Sequence, residues 1–263
     1  MKKITKFLIV LVLVLGIFGC AKKTNKATEV YQKTIETMKD ITAGDVTIDM
    51  NISMSFLGQS QEIRILMSME LEDANETDYM KIRGKGNMSM TAYGENIDME
   101  YYMLDGNMYM IANGVKMYGS FEEIASSSGQ SLNSLTQTQQ ITAYDVDFIK
   151  DAKFTELSDG NYEYVLDVSD PEMISKLLGQ LSSENLSALG DNLENIDKLI
   201  YTIIIDKDYH FSEMIIEASM NLSVEGFTIP ANYLIKMKYN NIGKPVVIDF
   251  PDFSDYQNVS SSN

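Results

Sequence analysis

Three residue types in this 263-residue chain could carry chemistry by their kind and placement. The first is cysteine: Cys20 is the single one, it follows an apolar run and Gly19, and with no disulfide partner its thiol is free for covalent modification. The second is methionine, of which there are 18, many at every second position of segments that alternate apolar with polar residues. Thioethers are soft, polarizable and conformationally adaptable, so they suit irregular apolar binding surfaces and soft metal ions. The third is histidine, represented only by His210, which lies between two apolar runs in Asp206-Lys207-Asp208-Tyr209-His210 and is read as a turn or strand residue rather than a base. No Gly-x-Ser-x-Gly elbow and no glycine-rich phosphate loop is present. Asp145-Val146-Asp147 and the acids from Asp191 to Asp197 lack the ligand spacing of a calcium loop and are read as solvated charge. The expectation is a protein without catalytic residues and without a cofactor. An acid pair for glycoside hydrolysis is the one enzymatic alternative, because such a pair is assembled in space and leaves no linear motif.

The elements that would position these groups begin with the N-terminus. Met1-Lys2-Lys3-Ile4-Thr5-Lys6 is cationic and Phe7 to Phe18 is apolar, the pattern of an export signal. Twelve apolar residues cover roughly 18 Å of helix against a hydrocarbon core of about 30 Å, too short for a membrane anchor. Ile17-Phe18-Gly19-Cys20 resembles the lipobox of bacterial lipoproteins. That resemblance implies cleavage after Gly19, acylation of Cys20, and a mature protein held on the extracytoplasmic face of the cell membrane by its acyl chains. Residues 1–19 would be the signal peptide and 20–27 the lipidated cysteine with its tether.

Removing residues 1–19 takes away three lysines and no acid, so the net charge of −17 becomes −20. A surface this acidic repels nucleic acid and anionic headgroups, which excludes nucleic acid as a partner and leaves lipid on Cys20 as the means of attachment.

Hydrophobic periodicity supplies the rest. Val30, Tyr31, Ile35, Met38 and Ile41 recur at helical spacing over 28–42, with Thr28 as expected N-cap and Gly44 past the end. From Val46 the period becomes two, through Ile48, Met50, Ile52, Met54 and Phe56, and again through Ile63, Ile65, Met67, Met69 and Leu71. Further strands are predicted near 79–92, 97–104, 152–157, 161–168, 199–206, 211–224 and 227–239. Asp105-Gly106-Asn107 and Asn113-Gly114 serve as hairpin turns flanked by short strands. Pro245 to Pro251 reads as an edge segment, 252–263 as a flexible tail, and about 120–140 as a mobile insertion. Two helical stretches are expected, one after Asp170-Pro171-Glu172 and one over about 183–197. The fold class is α+β and β-dominated: a strongly curved antiparallel sheet or half-barrel of about 10–12 strands with helices on its concave side. Residues 28–251 would form the single domain.

Two segments carry a further resemblance. Tyr201 to Met214, a strand, an Asp-Lys turn and an apolar return, resembles lipoproteins of the LolA-like and LppX-like group. Tyr239-Asn240-Asn241-Ile242-Gly243-Lys244-Pro245-Val246-Val247-Ile248 is similar to the ending of small Gram-positive lipoproteins of unknown function. The resemblance implies an apolar cavity between sheet and helices, and with it a noncatalytic protein that binds a lipid or other apolar ligand. The residues that would line the cavity are Met54, Met67, Met69, Met88, Met90, Met99, Met103, Ile216, Met220 and Met237. Two other readings stand beside it: a methionine-rich core with no cavity, in a structural or protein-interaction module, and a methionine copper site. The copper site requires a tight local cluster of soft ligands, and methionines at alternate positions of many strands are better explained by burial.

Overall fold

The computed structural model describes residues 25–56, 59–72, 79–92, 94–121, 123, 149, 151–170, 196–224 and 227–259. Cys20, Gly19 and the signal, nearly all of the 120–140 segment and most of the stretch from Pro171 to Asp197 lie outside them.

Helix α1 spans Lys26–Met38. Asn25, not Thr28, is its N-cap: the side-chain carboxamide oxygen accepts from the N–H of Ala27 at 3.2 Å. The start lies two residues earlier than the periodicity suggests because Ala27, Val30, Tyr31 and Thr34 share one buried face, and Ala27 joins it only if the helix is already formed there. Lys26 and Ala27 therefore belong to the domain and not to a tether. Gly44, read as a helix stop, instead opens the first strand.

Twelve strands follow among the described residues: β1 Gly44–Phe56, β2 Gln59–Glu72, β3 Arg83–Ala92, β4 Glu95–Leu104, β5 Asn107–Ala112, β6 Val115–Ser120, β7 Lys153–Glu156, β8 Tyr162–Asp167, β9 Ile196–Ile205, β10 Phe211–Val224, β11 Phe227–Asn240 and β12 Gln257–Asn258. They form one large curved sheet that does not close, in the order β12-β6-β5-β4-β3-β2-β1-β11-β10-β9-β8-β7. The expected β-dominated class is the observed one. Ile196 and Asp197 begin β9, so the expected helix over about 183–197 does not include them. Tyr79–Lys81 is a 3-10 turn and not the start of the strand expected near 79–92, and Met80 sits in it, 46% exposed.

Strict alternation sets the two faces. Met237↔Ile48, Ile48↔Met67, Met67↔Met88 and Met88↔Met99 are direct cross-strand partners, so one face is apolar from β10 through β4, and Asp49, Arg64, Ser89 and Asp98 point the other way. Asp105, Gly106, Asn113 and Gly114 all take positive φ, as two-residue hairpin turns require.

Helix α1 packs on the apolar face at one end of the sheet. Tyr31, fully buried, meets Tyr164 edge-on at 5.9 Å and Phe211 at 6.3 Å between ring centroids. The Tyr164 hydroxyl donates to the carbonyl of Ala27 at 2.5 Å, and burial pushes its pKa upward. Leu166, Leu199, Ile203, Ile205, Met214 and Ala218 complete this core.

The other end is closed from behind. Residues 245–258 cross the polar face of β3–β6 as a strap, and β12 pairs in parallel with β6. Phe253 stacks on Tyr109 at 3.8 Å and meets Tyr102 and Tyr256 edge-on. Lys116 pairs with Asp255 at 2.6 Å, and the N–H of Ile248 donates to the Glu72 carboxylate at 3.0 Å. Two sequence expectations are corrected here. Pro245 to Pro251 is not an edge segment, and 252–258 is not a flexible tail, because Phe253 and Tyr256 pack on Tyr102 and Tyr109 on the far face of the sheet. Phe253→Ala is expected to cost about 2 kcal/mol of burial and to release the strap. Limited proteolysis should then cut near 250 in the variant while sparing the parent.

Candidate functional site

The candidate site is the apolar face over β1–β5. Each of its side chains is placed by strand alternation, and each row across it by the hairpin turns, which fix which residues oppose one another. One row runs Met214–Met237–Ile48–Met67–Met88–Met99–Ala112. The next runs Ile216–Ile235–Met50–Ile65–Met90–Ile97. On the other side lie Tyr239, Val46, Met69, Gly86, Tyr101, Met110 and Met117.

The ten expected cavity residues all fall on this face, but they divide. Ile216, Met220 and Met237 pack against the core beneath α1. Met103 is buried at 7% exposure, its thioether methyl lying where a Cβ on Gly84 would stand. Met54 is half-buried at the end of β1 beside Ala231. Met67, Met69, Met88, Met90 and Met99 form one contiguous half-buried patch, and among the described residues no member of the principal core cluster comes from β1–β6. Sequence reasoning missed Met117, Tyr101 and the two glycines. Gly84 and Gly86 were legible as breaks in an apolar alternation, the signal of a close approach by another side chain.

The back of the same strands is different in kind. A groove of about 680 Å³ lies there, lined by Thr47, Leu66, Ser68, Asn87, Asp98 and Ile111 among others. Met67, Met88 and Met99 contribute to its floor through their main chain, since their side chains stand on the opposite face. Its lining mixes the apolar side chains of Leu66 and Ile111 with hydroxyl, amide and carboxylate groups from Thr47, Ser68, Asn87, Asp98 and Glu100. Beside it Arg64 grips Asp49 through two hydrogen bonds of 3.2 and 2.9 Å, which hold the Asp49 carboxyl below its ordinary pKa. Tyr102 donates to Glu100 at 2.5 Å; burial first, then this bond, pushes the phenol pKa upward.

His210 is where the sequence places it, in the β9–β10 turn. Its N–H donates to Asp206 Oδ1 at 2.9 Å and its Nδ1 lies 3.3 Å from Asp206 Oδ2, so Asp206 organises the turn around it. Among the described residues no group of three or more His, Cys, Asp or Glu could hold a metal ion, and no helix is long and apolar enough to cross a membrane.

A family described as "Family of unknown function (DUF6612)" matches residues 26–252. No curated protein sequence matches the chain. Among solved structures, that of LprF from Mycobacterium bovis is 14% identical, covers 88% of this chain and 99% of its own, and has a TM-score of 0.42. A putative outer membrane lipoprotein-sorting protein domain from Vibrio parahaemolyticus is 12% identical, with coverages of 87% and 96% and a TM-score of 0.27. The S-type phycobiliprotein lyase CPES from Guillardia theta is 6% identical, with coverages of 82% and 98% and a TM-score of 0.26. These likenesses say nothing of what this chain binds.

Proposed function

We propose, from the premise that the chain belongs to the DUF6612 family of unknown function, that it is a noncatalytic lipoprotein which is held on the outer face of the cell membrane by lipid on Cys20 and binds an acyl chain or similar apolar ligand on its methionine face. One observation carries the reading: the apolar face continues across β1–β5, yet the core beneath α1 draws no described residue from those strands. A contiguous apolar face that is left out of the core marks a surface for a ligand or partner. Methionine is suited to a cover that varies in shape, because its unbranched thioether chain repacks at small cost.

The test uses the full chain in detergent with a fluorescent fatty acid and, separately, a phospholipid. Ligand at a hundredfold excess over its dissociation constant should stabilise the fold by about 2.7 kcal/mol. Met88→Asp, at the centre of the patch, should weaken binding at least tenfold, and Asp98→Asn, on the back of the sheet, should leave it unchanged. If neither amphiphile binds, the structural or protein-interaction reading replaces this one. The anchor is tested separately. Cys20→Ser should abolish acylation and leave uncut precursor, read as a mass increase by intact-protein mass spectrometry; normally lipidated product from that variant would remove the anchor from the proposal.

A further inference from the structure

The register does something to the methionines that alternation alone does not require. In the row through Ile48, β2, β3 and β4 each contribute a methionine at the same level: Met67 opposes Met88, and Met88 opposes Met99. Isoleucine ends the run on one side at Ile48 and alanine on the other at Ala112. In the neighbouring row Met50 and Met90 are separated by Ile65, and elsewhere on this face Met214 with Met237, Met103 with Met108, and Met110 with Met117 occur only as pairs. Among the described residues, three thioethers stand side by side on consecutive strands only here.

We propose that Met67, Met88 and Met99 form a three-thioether site for a soft monovalent cation of the copper(I) and silver(I) class. Directly opposed residues hold their Cβ atoms about 4.5–5.5 Å apart, and a methionine sulfur lies two bonds beyond Cβ on a freely rotating chain. The two outer sulfurs can therefore lean toward the middle one and share an ion at ordinary metal–sulfur distance, about 2.3 Å. All three side chains are half-buried, with Ile65, Ile97 and Ile48 around them. Such an apolar surround disfavours hard, strongly hydrated cations and leaves a weakly hydrated soft ion as the fitting guest. Use of methionine here is not explained by strand formation, since β-branched residues are the better strand formers and fill adjacent positions of the same strands.

This goes beyond the apolar-ligand reading and stands or falls separately from it. Besides its methionines the chain offers few soft ligands: it has one cysteine, Cys20, and one histidine, His210. The experiment therefore uses the full chain in detergent with Cys20→Ser, titrated with silver(I), which needs no reductant, by native mass spectrometry and calorimetry. One silver ion should bind per chain, and an X-ray absorption spectrum should show sulfur neighbours only. Met88→Leu should lower the affinity at least tenfold while leaving the circular dichroism spectrum and the denaturant midpoint intact, because Leu keeps the volume and the apolarity but not the sulfur. Met54→Leu, on the same face but outside the row, should bind silver as the parent does. Absence of binding, equal binding by the Met88→Leu variant, or nitrogen and oxygen neighbours in the spectrum would each overturn the site.

Discussion

Replacing Tyr31 with alanine is expected to cost about 3–5 kcal/mol, the range for truncating a large aromatic side chain in a core. Tyr31 is fully buried and its ring is the wedge between α1 and the sheet, with Tyr164 on one side and Phe211 on the other. Stabilities of whole domains lie near 5–15 kcal/mol, so this one change removes a large share. The helix has little to fall back on: at 13 residues it is marginal without tertiary packing. Once it detaches, the carbonyl of Ala27 and the hydroxyl of Tyr164 lose each other as partners. Urea unfolding should show a midpoint shift of that size, and hydrogen exchange should show early opening of 26–38. Glu29→Ala, on the exposed side of the same helix, should stay within about 0.5 kcal/mol. Comparable losses in both variants would mean that α1 is not docked through Tyr31.

Gly86→Val is expected to cost about 3 kcal/mol, at the upper end of overpacking penalties. A Cβ at Gly86 would clash with Cζ and the hydroxyl oxygen of Tyr101 and stand 2.6 Å from the main-chain carbonyl oxygen of Ser68 on β2. The ring could turn aside, but the carbonyl belongs to the β2–β3 ladder and cannot. Gly84 supplies the contrast, because the atom a Cβ would meet there is the mobile end of Met103. Gly84→Ala should therefore cost less than Gly86→Ala by about 1 kcal/mol or more. The comparison is read from denaturant midpoints at unchanged slope. Equal costs at the two positions would show that Tyr101 and Met103 do not lie over the glycines as described.

Much of this architecture is legible residue by residue. The switch from helical to twofold periodicity near Val46 assigns every side chain of β1 and β2 to a face, because a slip of one residue would turn all the methionines to water and all the acids to the core. Asp105-Gly106 and Asn113-Gly114 announce hairpins, since both positions of such turns need positive φ and these residue types tolerate it. The core face of α1 was likewise readable from Val30, Tyr31, Ile35 and Met38. Its start is not, because Asn25 and Thr28 both have capping side chains, and only the burial of Ala27 against the sheet selects the first.

What tertiary structure alone decides is which strands are neighbours when no short turn joins them. Nothing local in β1 or β11 announces that Val46 will pair with Tyr239, yet that pairing joins β2–β6 and β7–β10 through β1 and β11 into one continuous sheet. The strap was hidden for the same reason: Phe250, Phe253 and Tyr256 look like an ordinary polar-aromatic tail until Tyr102, Tyr109 and Tyr118 are brought beneath them from strands more than a hundred residues earlier. Alternation determines the face a methionine points to, whereas its cross-strand neighbours depend on turn lengths and register acting together. Met67, Met88 and Met99 are scattered thioethers in the sequence, and three hydrogen-bonded strands make them a row.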